Sequence, residues 1–259
     1  MRRQKYYESA YNICKRLEDK PFAMHLRRAD KLKMSELGAI IPHNLEPVTL
    51  EFQQCDVMSA VIKDVGDNLA PLVVNPTGKQ ACGEWDYGAE GFEESLAYRS
   101  TLSLSLVDDL YPLQKDEVVY SPNVWAFRGA QWQSIKSFPF SVVSVVPMTR
   151  ADFSVENDRA RFASAFDAVF QVALRGGHKS VILNAFGSRE DNNPVEIAHV
   201  LGQVLSRYAR ALHRVTMVFE YSQTNPMIAT FRKHVKVVPE EQYDLIPKEE
   251  NVVELDTPD

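Results

Sequence analysis

Two apolar runs in the second half of the chain, KSVILNAF (179–186) and RVTMVFEY (214–221), are continuous enough to suit strands buried on both faces. Between them NPVEIAHVLGQVLSRYARAL (193–212) has helical spacing, with Pro194 just inside its start. Strands separated by such a helix predict a parallel or mixed sheet covered on both sides, with ligands at the carboxyl ends of its strands. The flanking segments follow the same grammar. DRARFASAFDAVFQVALRGG (158–177) spaces Phe162, Phe166, Val169, Phe170 and Ala173 along one helix face and closes on two glycines. Upstream, 48–54, 69–75, 118–127 and 140–147 read as strands, 56–65 as a helix, and GFEESLAYRSTLSLSL (91–106) as a helix opening on acidic residues.

The ends differ from this middle. Residues 1–36 carry ten Lys or Arg against five acidic side chains, whereas 239–259 carry eight acidic residues against Lys248 alone. YYESAYNICKRLED predicts an amphipathic helix with Tyr7, Tyr11, Cys14 and Leu17 on one side, and ADKLKMSELGAI a second short helix ending at Gly38. We therefore expect a basic helical extension over 1–46, a domain over 47–238 and an acidic tail over 239–259. With 35 acidic and 29 basic residues, the net charge of −6 argues against a chain that coats nucleic acid through a general basic excess.

Three cysteines, Cys14, Cys55 and Cys82, form no CxxC pair and are too few for a disulfide scaffold, which points to a reducing compartment. The start is basic but has no apolar signal-peptide core, and no run approaches 18 uncharged apolar residues. An intracellular protein, cytoplasmic or nuclear, is expected, with no membrane contact and no sequence-specific nucleic-acid contact. The six histidines show neither HExxH nor zinc-finger spacing, Ser95 and Ser121 lack a GxSxG elbow, and no GxGxxG or GxxxxGK[ST] is present. No cofactor and no metal is implied.

The chemistry concentrates in NPTGKQACGEWDYGAEGFEESLAYRS (75–100). Asn75 ends a buried strand, glycines recur at 78, 83, 88 and 91, and Glu93 and Glu94 open the next helix. Glycines let backbone approach a ligand closely, and a carboxylic acid beside a glycosidic oxygen protonates a leaving group. The plainer alternatives stand beside this one: glycines satisfy turns, and acidic residues complement a helix start.

These segments, in order, resemble the poly(ADP-ribose) glycohydrolase branch of the macrodomain superfamily over about 48–231, especially its microbial type. That family has a strand ending in Asn, a PGGG stretch, and QEE leading into LxRSTxL; here stand VVN at 73–75, ACGE at 81–84 and FEESLAYRSTL at 92–102. VVYSPNVWAFR (118–128) is similar to its YSPxVxxFR stretch. ILNAFGSREDNNPVEIA (182–198) is similar to its second phosphate-proximal loop, of the form GAFGCGxFxNxPxxVA, and VFEYSQTNPMIATF (218–231) to its last core strand with an Asn and Phe beyond. The resemblance implies a macrodomain-like three-layer α/β/α fold with a mixed central sheet and a helical N-terminal extension.

It also implies site residues. The family's QEE surrounds the distal ribose with its second glutamate as general acid, which by position gives Phe92, Glu93 and, as acid, Glu94. Asn75 and Gly83 follow from the first loop, and Gly187, Ser188 and Arg189 from the second. Asp56 is expected near adenine, with helix capping as the alternative; Phe219 and Tyr221 offer an aromatic surface, with core packing as the alternative, and Asn225 follows beyond. Both glycine loops depart from the pattern: GGG becomes Cys82-Gly83-Glu84, and GCG with its aromatic becomes Gly187-Ser188-Arg189-Glu190-Asp191. Glu84 and Asp86 add carboxylates that could orient a guanidinium leaving group, and Trp85 could cover the distal ribose. The implied activity is carboxylate-assisted hydrolysis of an ADP-ribose linkage at the distal-ribose C1, with free ADP-ribose or an ADP-ribosylated protein as partner. The alternatives are a non-catalytic ADP-ribose-binding module and a repurposed scaffold that meets a protein partner through its basic N-terminal region.

Overall fold

In a computed structural model that describes residues 2–20, 22–38, 46–83, 91–188, 191–219 and 225–237, the alternation becomes a seven-stranded mixed sheet between two helical layers. In chain order the elements are α1 (Arg2–Glu18), α2 (Ala23–Leu26), β1 (Asp30–Lys33), β2 (Thr49–Gln53), α3 (Val57–Gly66), β3 (Pro71–Pro76), α4 (Phe92–Ala97) and α5 (Leu102–Ser105). There follow β4 (Glu117–Arg128), β5 (Ser134–Val145), α6 (Glu156–Arg175), β6 (Ser180–Leu183), α7 (Pro194–Arg207), β7 (Arg214–Val218) and α8 (Asn225–His234). The strand order is β1-β4-β5-β3-β6-β7-β2. Neighbours from β5 to β2 are parallel, and β4 runs antiparallel to both β5 and β1.

Alternation along each strand sorts its side chains between the two layers. Leu72 and Val74 of β3, Val181 and Leu183 of β6, and Val215 and Met217 of β7 pack with α6, α7 and α8. Val73, Ile182 and Val218 point the other way, to α3 and α4. Each fully buried aliphatic side chain of this kind contributes about 1.5–3 kcal/mol. The period-2 rule also fixes Asn75: two residues beyond Val73, it faces the α4 layer. Local chemistry sets the helix starts. Asp56 and Asn193 accept hydrogen bonds from the amides of Met58 and Val195 at 2.8 and 3.0 Å, and Pro194 occupies the first turn of α7.

Three expectations are corrected. The segment 91–106 is not one helix: it breaks at Ser100, which bridges to Ala126, while the amides of Thr101 and Phe127 bond the carbonyls of Trp125 and Arg99. Buried backbone at the break is satisfied by β4 in place of a helix ladder. The second short helix is instead the edge strand β1 followed by a 3-10 turn at Met34–Glu36, ending at Leu37 ahead of Gly38 with φ +54°. On α1, Ala10 and Cys14 are buried as a pair against Leu104 and Phe127, and Tyr11 is exposed. Among the described residues no helix is long and apolar enough to cross a membrane.

Candidate functional site

The site forms where β3 ends. Asn75 is fully buried, and its Nδ2 donates to Glu93 Oε1 at 2.7 Å and to Ser144 Oγ at 3.0 Å. Glu93 lies in the first turn of α4, 5% exposed, and also accepts hydrogen bonds from Thr77 and from the Gly83 amide. Thr77 in turn shares a 2.8 Å hydrogen bond with the Tyr111 hydroxyl. Loss of hydration disfavours the Glu93 carboxylate; the neighbouring Glu94 charge adds to this, and the three donors offset only part of it. The balance pushes Glu93 up from 4.5 to about 7. Burial likewise pushes the Tyr111 hydroxyl up.

Gly83 and Gly91 make room for this carboxylate pair. A Cβ on Gly83 would fall 2.8 Å from Glu93 Oε2 and 2.7 Å from Glu94 Oε1, and one on Gly91 would collide with the Glu94 carboxylate. A side chain at either position obliges a carboxyl group to shift. Glu94, only partly buried, faces a cleft of about 610 Å³ whose walls include Gly83, Phe92, Glu93, Asn184 and Gly187. Cys82 lines the same cleft, with its thiol toward the Leu106 carbonyl at 3.4 Å. All these walls stand at the carboxyl ends of β3, β6 and β7 or at the start of α4, where parallel sheets place ligands.

The opposite wall is the turn after β6. Gly187 has φ +78°, and a Cβ there would meet the Phe162 ring at 2.8 Å. Asn192, buried, pins this turn: its Nδ2 donates to the carbonyls of Gly187 and Met148, and its Oδ1 accepts from the Ala151 amide. Asn184 is 9% exposed, and its Oδ1 has no hydrogen-bond partner among the described residues. A buried acceptor of this kind favours a ligand or water that donates to it.

Of the residues expected at the site, Glu93, Glu94, Asn75, Gly83, Phe92 and Gly187 come together. Asp56 does not line the cleft. It caps α3 and receives both oxygens' worth of contact from Arg99 Nη1, at 2.6 and 2.7 Å. Phe219 is fully buried with its ring edge-on to Phe231, which is core packing. Ser188 does not line the cleft either; its hydroxyl donates to the Ala185 carbonyl at 2.6 Å. Glu84, Trp85, Asp86, Arg189 and Tyr221 lie outside the described residues, as does the side chain of Asn225. Thr77, Tyr111, Ser144 and Asn184 were missed. Only Asn184 had a sequence signal, as the polar residue closing a buried strand like Asn75. Among the described residues no group of three or more His, Cys, Asp or Glu side chains is arranged to hold a metal ion.

A mixed seven-stranded sheet in three layers, with a cleft at its carboxyl edge, is a macrodomain-like fold. Within that class the fold is that of solved poly(ADP-ribose) glycohydrolases. The enzyme from Thermomonospora curvata superposes with TM-score 0.78 at 20% identity over 90% of this chain and 98% of its own. The same enzyme bound to the inhibitor ADP-HPD gives 0.77 at 21% identity, covering 89% and 98%. The enzyme from Deinococcus radiodurans in complex with ADP-ribose gives 0.73 at 18% identity, covering 83% and 98%. No protein-family model and no curated protein sequence matches the chain.

Proposed function

We propose that this chain hydrolyses an ADP-ribose glycosidic linkage. The observation that carries the reading is the Glu93–Glu94 pair, one carboxyl buried and pushed up to about 7, the other facing the cleft. Likeness of fold to enzymes whose structures hold ADP-ribose or ADP-HPD supports the ligand class. Three cysteines with no CxxC pair suit a reducing, intracellular setting.

In this mechanism Glu93, fixed by Asn75, Thr77 and Gly83, holds the hydroxyls of the distal ribose. A proton held by the carboxyl pair passes through Glu94 to the leaving atom as the C1 bond breaks and its electron pair departs with that atom. Positive charge then develops on the ribose between two carboxyl groups, where it is stabilised electrostatically. Water adds at C1, and its surplus proton returns to the Glu94 carboxylate. The second product is ADP-ribose.

The test pairs titration with free ADP-ribose and hydrolysis assays on wild type and Glu94→Gln. Saturable binding by both, with turnover in wild type and at least a hundredfold loss in the variant, is the expected result. Binding without turnover in wild type would leave an ADP-ribose-binding module, and full activity in folded E94Q would remove Glu94 as the acid.

A further inference from the structure

The three donors that hold Glu93 are not alike. The Gly83 amide and the Asn75 Nδ2 carry N–H hydrogens, so toward a carboxyl group they only donate. Thr77 is a hydroxyl and can turn round: it donates to an ionised Glu93 and is able to accept from a protonated one. Its direction is settled by Tyr111, whose hydroxyl shares a 2.8 Å hydrogen bond with Thr77 Oγ1. Thr77 has a single hydroxyl proton. With that proton on Glu93, Tyr111 is the donor in the second bond. Burial, with the Glu93 charge adding to it, pushes the Tyr111 hydroxyl up, so it stays protonated and keeps donating. Both side chains are fixed by main chain. The Thr77 amide bonds the Val145 carbonyl at 3.0 Å, the Tyr111 amide bonds the Asp108 carbonyl at 2.9 Å, and the Leu113 amide ties this segment to the Lys79 carbonyl at 2.9 Å. Thr77 is 4% exposed, and neither residue lines the cleft, so both act through Glu93.

The two carboxyl groups are close: a single point beside Gly83 lies 2.8 Å from Glu93 Oε2 and 2.7 Å from Glu94 Oε1. A proton held by the pair has two places to go. On Glu93 it meets only groups that are already donating, among the described residues, whereas on Glu94 it faces the cleft. A hydrogen on Glu93 is therefore left without an acceptor, which disfavours it there. We propose that Tyr111 is a positioning residue: by donating to Thr77 it holds the Thr77 proton against Glu93, and so directs the proton of the carboxyl pair to Glu94, where the leaving atom takes it. Only O–H bonds are made and broken in this transfer, and the pair keeps the same number of protons until the leaving atom is protonated. The inference rests on the glycohydrolase reading and states how its acid is loaded.

Tyr111→Phe keeps the ring and removes the donor. Thr77 then turns to accept from a protonated Glu93, so the pair holds its proton more tightly and on the wrong carboxyl. On an ADP-ribose oligomer, kcat should fall about three- to tenfold with KM unchanged, while the alkaline limb of the pH–kcat profile moves up by about 0.5–1 pH unit. Thr77→Val, which removes the hydroxyl itself, should move the limb the same way, and Thr77→Ser should bring it back towards its wild-type position. A fall in kcat with the limb unmoved marks a structural effect alone and overturns the proposal, as does a Tyr111→Phe enzyme identical to wild type. Carbon-13 NMR of the glutamate carboxyls, assigned with Glu93→Gln, reads the same change without turnover. Glu93 should titrate about 0.5–1 pH unit higher in Tyr111→Phe than in wild type. Should wild type hydrolyse no ADP-ribose linkage, the glycohydrolase reading fails separately, and this titration decides the role of Tyr111: a raised midpoint sustains its control of the pair, and equal midpoints overturn it. Should Tyr111→Phe fail to fold, Thr77→Val carries the same comparison.

Discussion

Asn75 Nδ2 lies 2.7 Å from Glu93 Oε1, so the penultimate residue of β3 directly holds a carboxyl on the first turn of α4. The bond favours the ionised form of Glu93, because an amide N–H is a better partner for a carboxylate than for a neutral acid. Asn75→Leu removes the donor while filling similar space. We expect a loss of about 1–3 kcal/mol at pH 8, where Glu93 is charged, and a smaller loss at pH 5, where it is protonated. Urea denaturation at the two pH values measures the difference, and equal losses would exclude the bond as its cause.

Glu93 also sets a pH dependence of stability. Its carboxyl rises from 4.5 to about 7 on folding, chiefly through loss of hydration. A group whose pKa is raised by folding stabilises the fold fully below its unfolded value. That contribution fades as pH climbs through the folded value, here between about 4.5 and 7. The whole interval corresponds to about 3 kcal/mol. Glu93→Gln abolishes the linkage, so its stability relative to wild type should improve by about that amount from pH 4 to pH 8. A gap that stays constant with pH would show that Glu93 does not titrate in this range.

Gly83 offers a sharper test of geometry. With a Cβ placed 2.7 Å from one carboxyl and 2.8 Å from the other, Gly83→Ala must displace Glu94, Glu93 or the loop itself. A shift of roughly 1 Å in a reacting group costs about a hundredfold in rate. The variant should keep a wild-type circular dichroism spectrum and lose turnover by that order. Retained turnover would mean that the loop yields and the carboxyls do not.

The fold was legible in sequence where burial is two-sided. β3, β6 and β7 announce themselves because helices cover both faces and most of their buried positions are apolar. β1 did not: DKLK offers one apolar residue, and its pairing with β4 comes from backbone hydrogen bonds at a sheet edge, to which side-chain pattern is blind. The break at Ser100 was hidden for a similar reason, since helical propensity continues through it and a tertiary bridge to Ala126 ends the ladder. At the site the glycines and glutamates were readable because close approach and acid chemistry restrict residue type. Thr77 and Tyr111, brought together from opposite ends of an intervening loop and two short helices, carried no local mark. Asp56 was readable as a cap but not as a partner of Arg99, because the two are 43 residues apart.

That partnership supplies the last prediction. Arg99 is fully buried; it holds Asp56 through Nη1, bonds the Ser95 carbonyl through Nε at 2.9 Å and the Ser95 hydroxyl through Nη2 at 2.6 Å, and lies 4.9 Å over the Trp132 ring. Ser95 follows Glu94 on α4, so the guanidinium links α4 to the start of α3. Removing Asp56 leaves a buried positive charge without its counter-ion and also strips the α3 cap. Asp56→Ala should therefore destabilise the fold by about 3–5 kcal/mol, read by chemical denaturation. Asp56→Asn keeps the capping oxygen and loses the charge, so it should recover about 1 kcal/mol of that. If Asp56 instead served a ligand alone, both variants would match wild type in stability and differ from it only in binding.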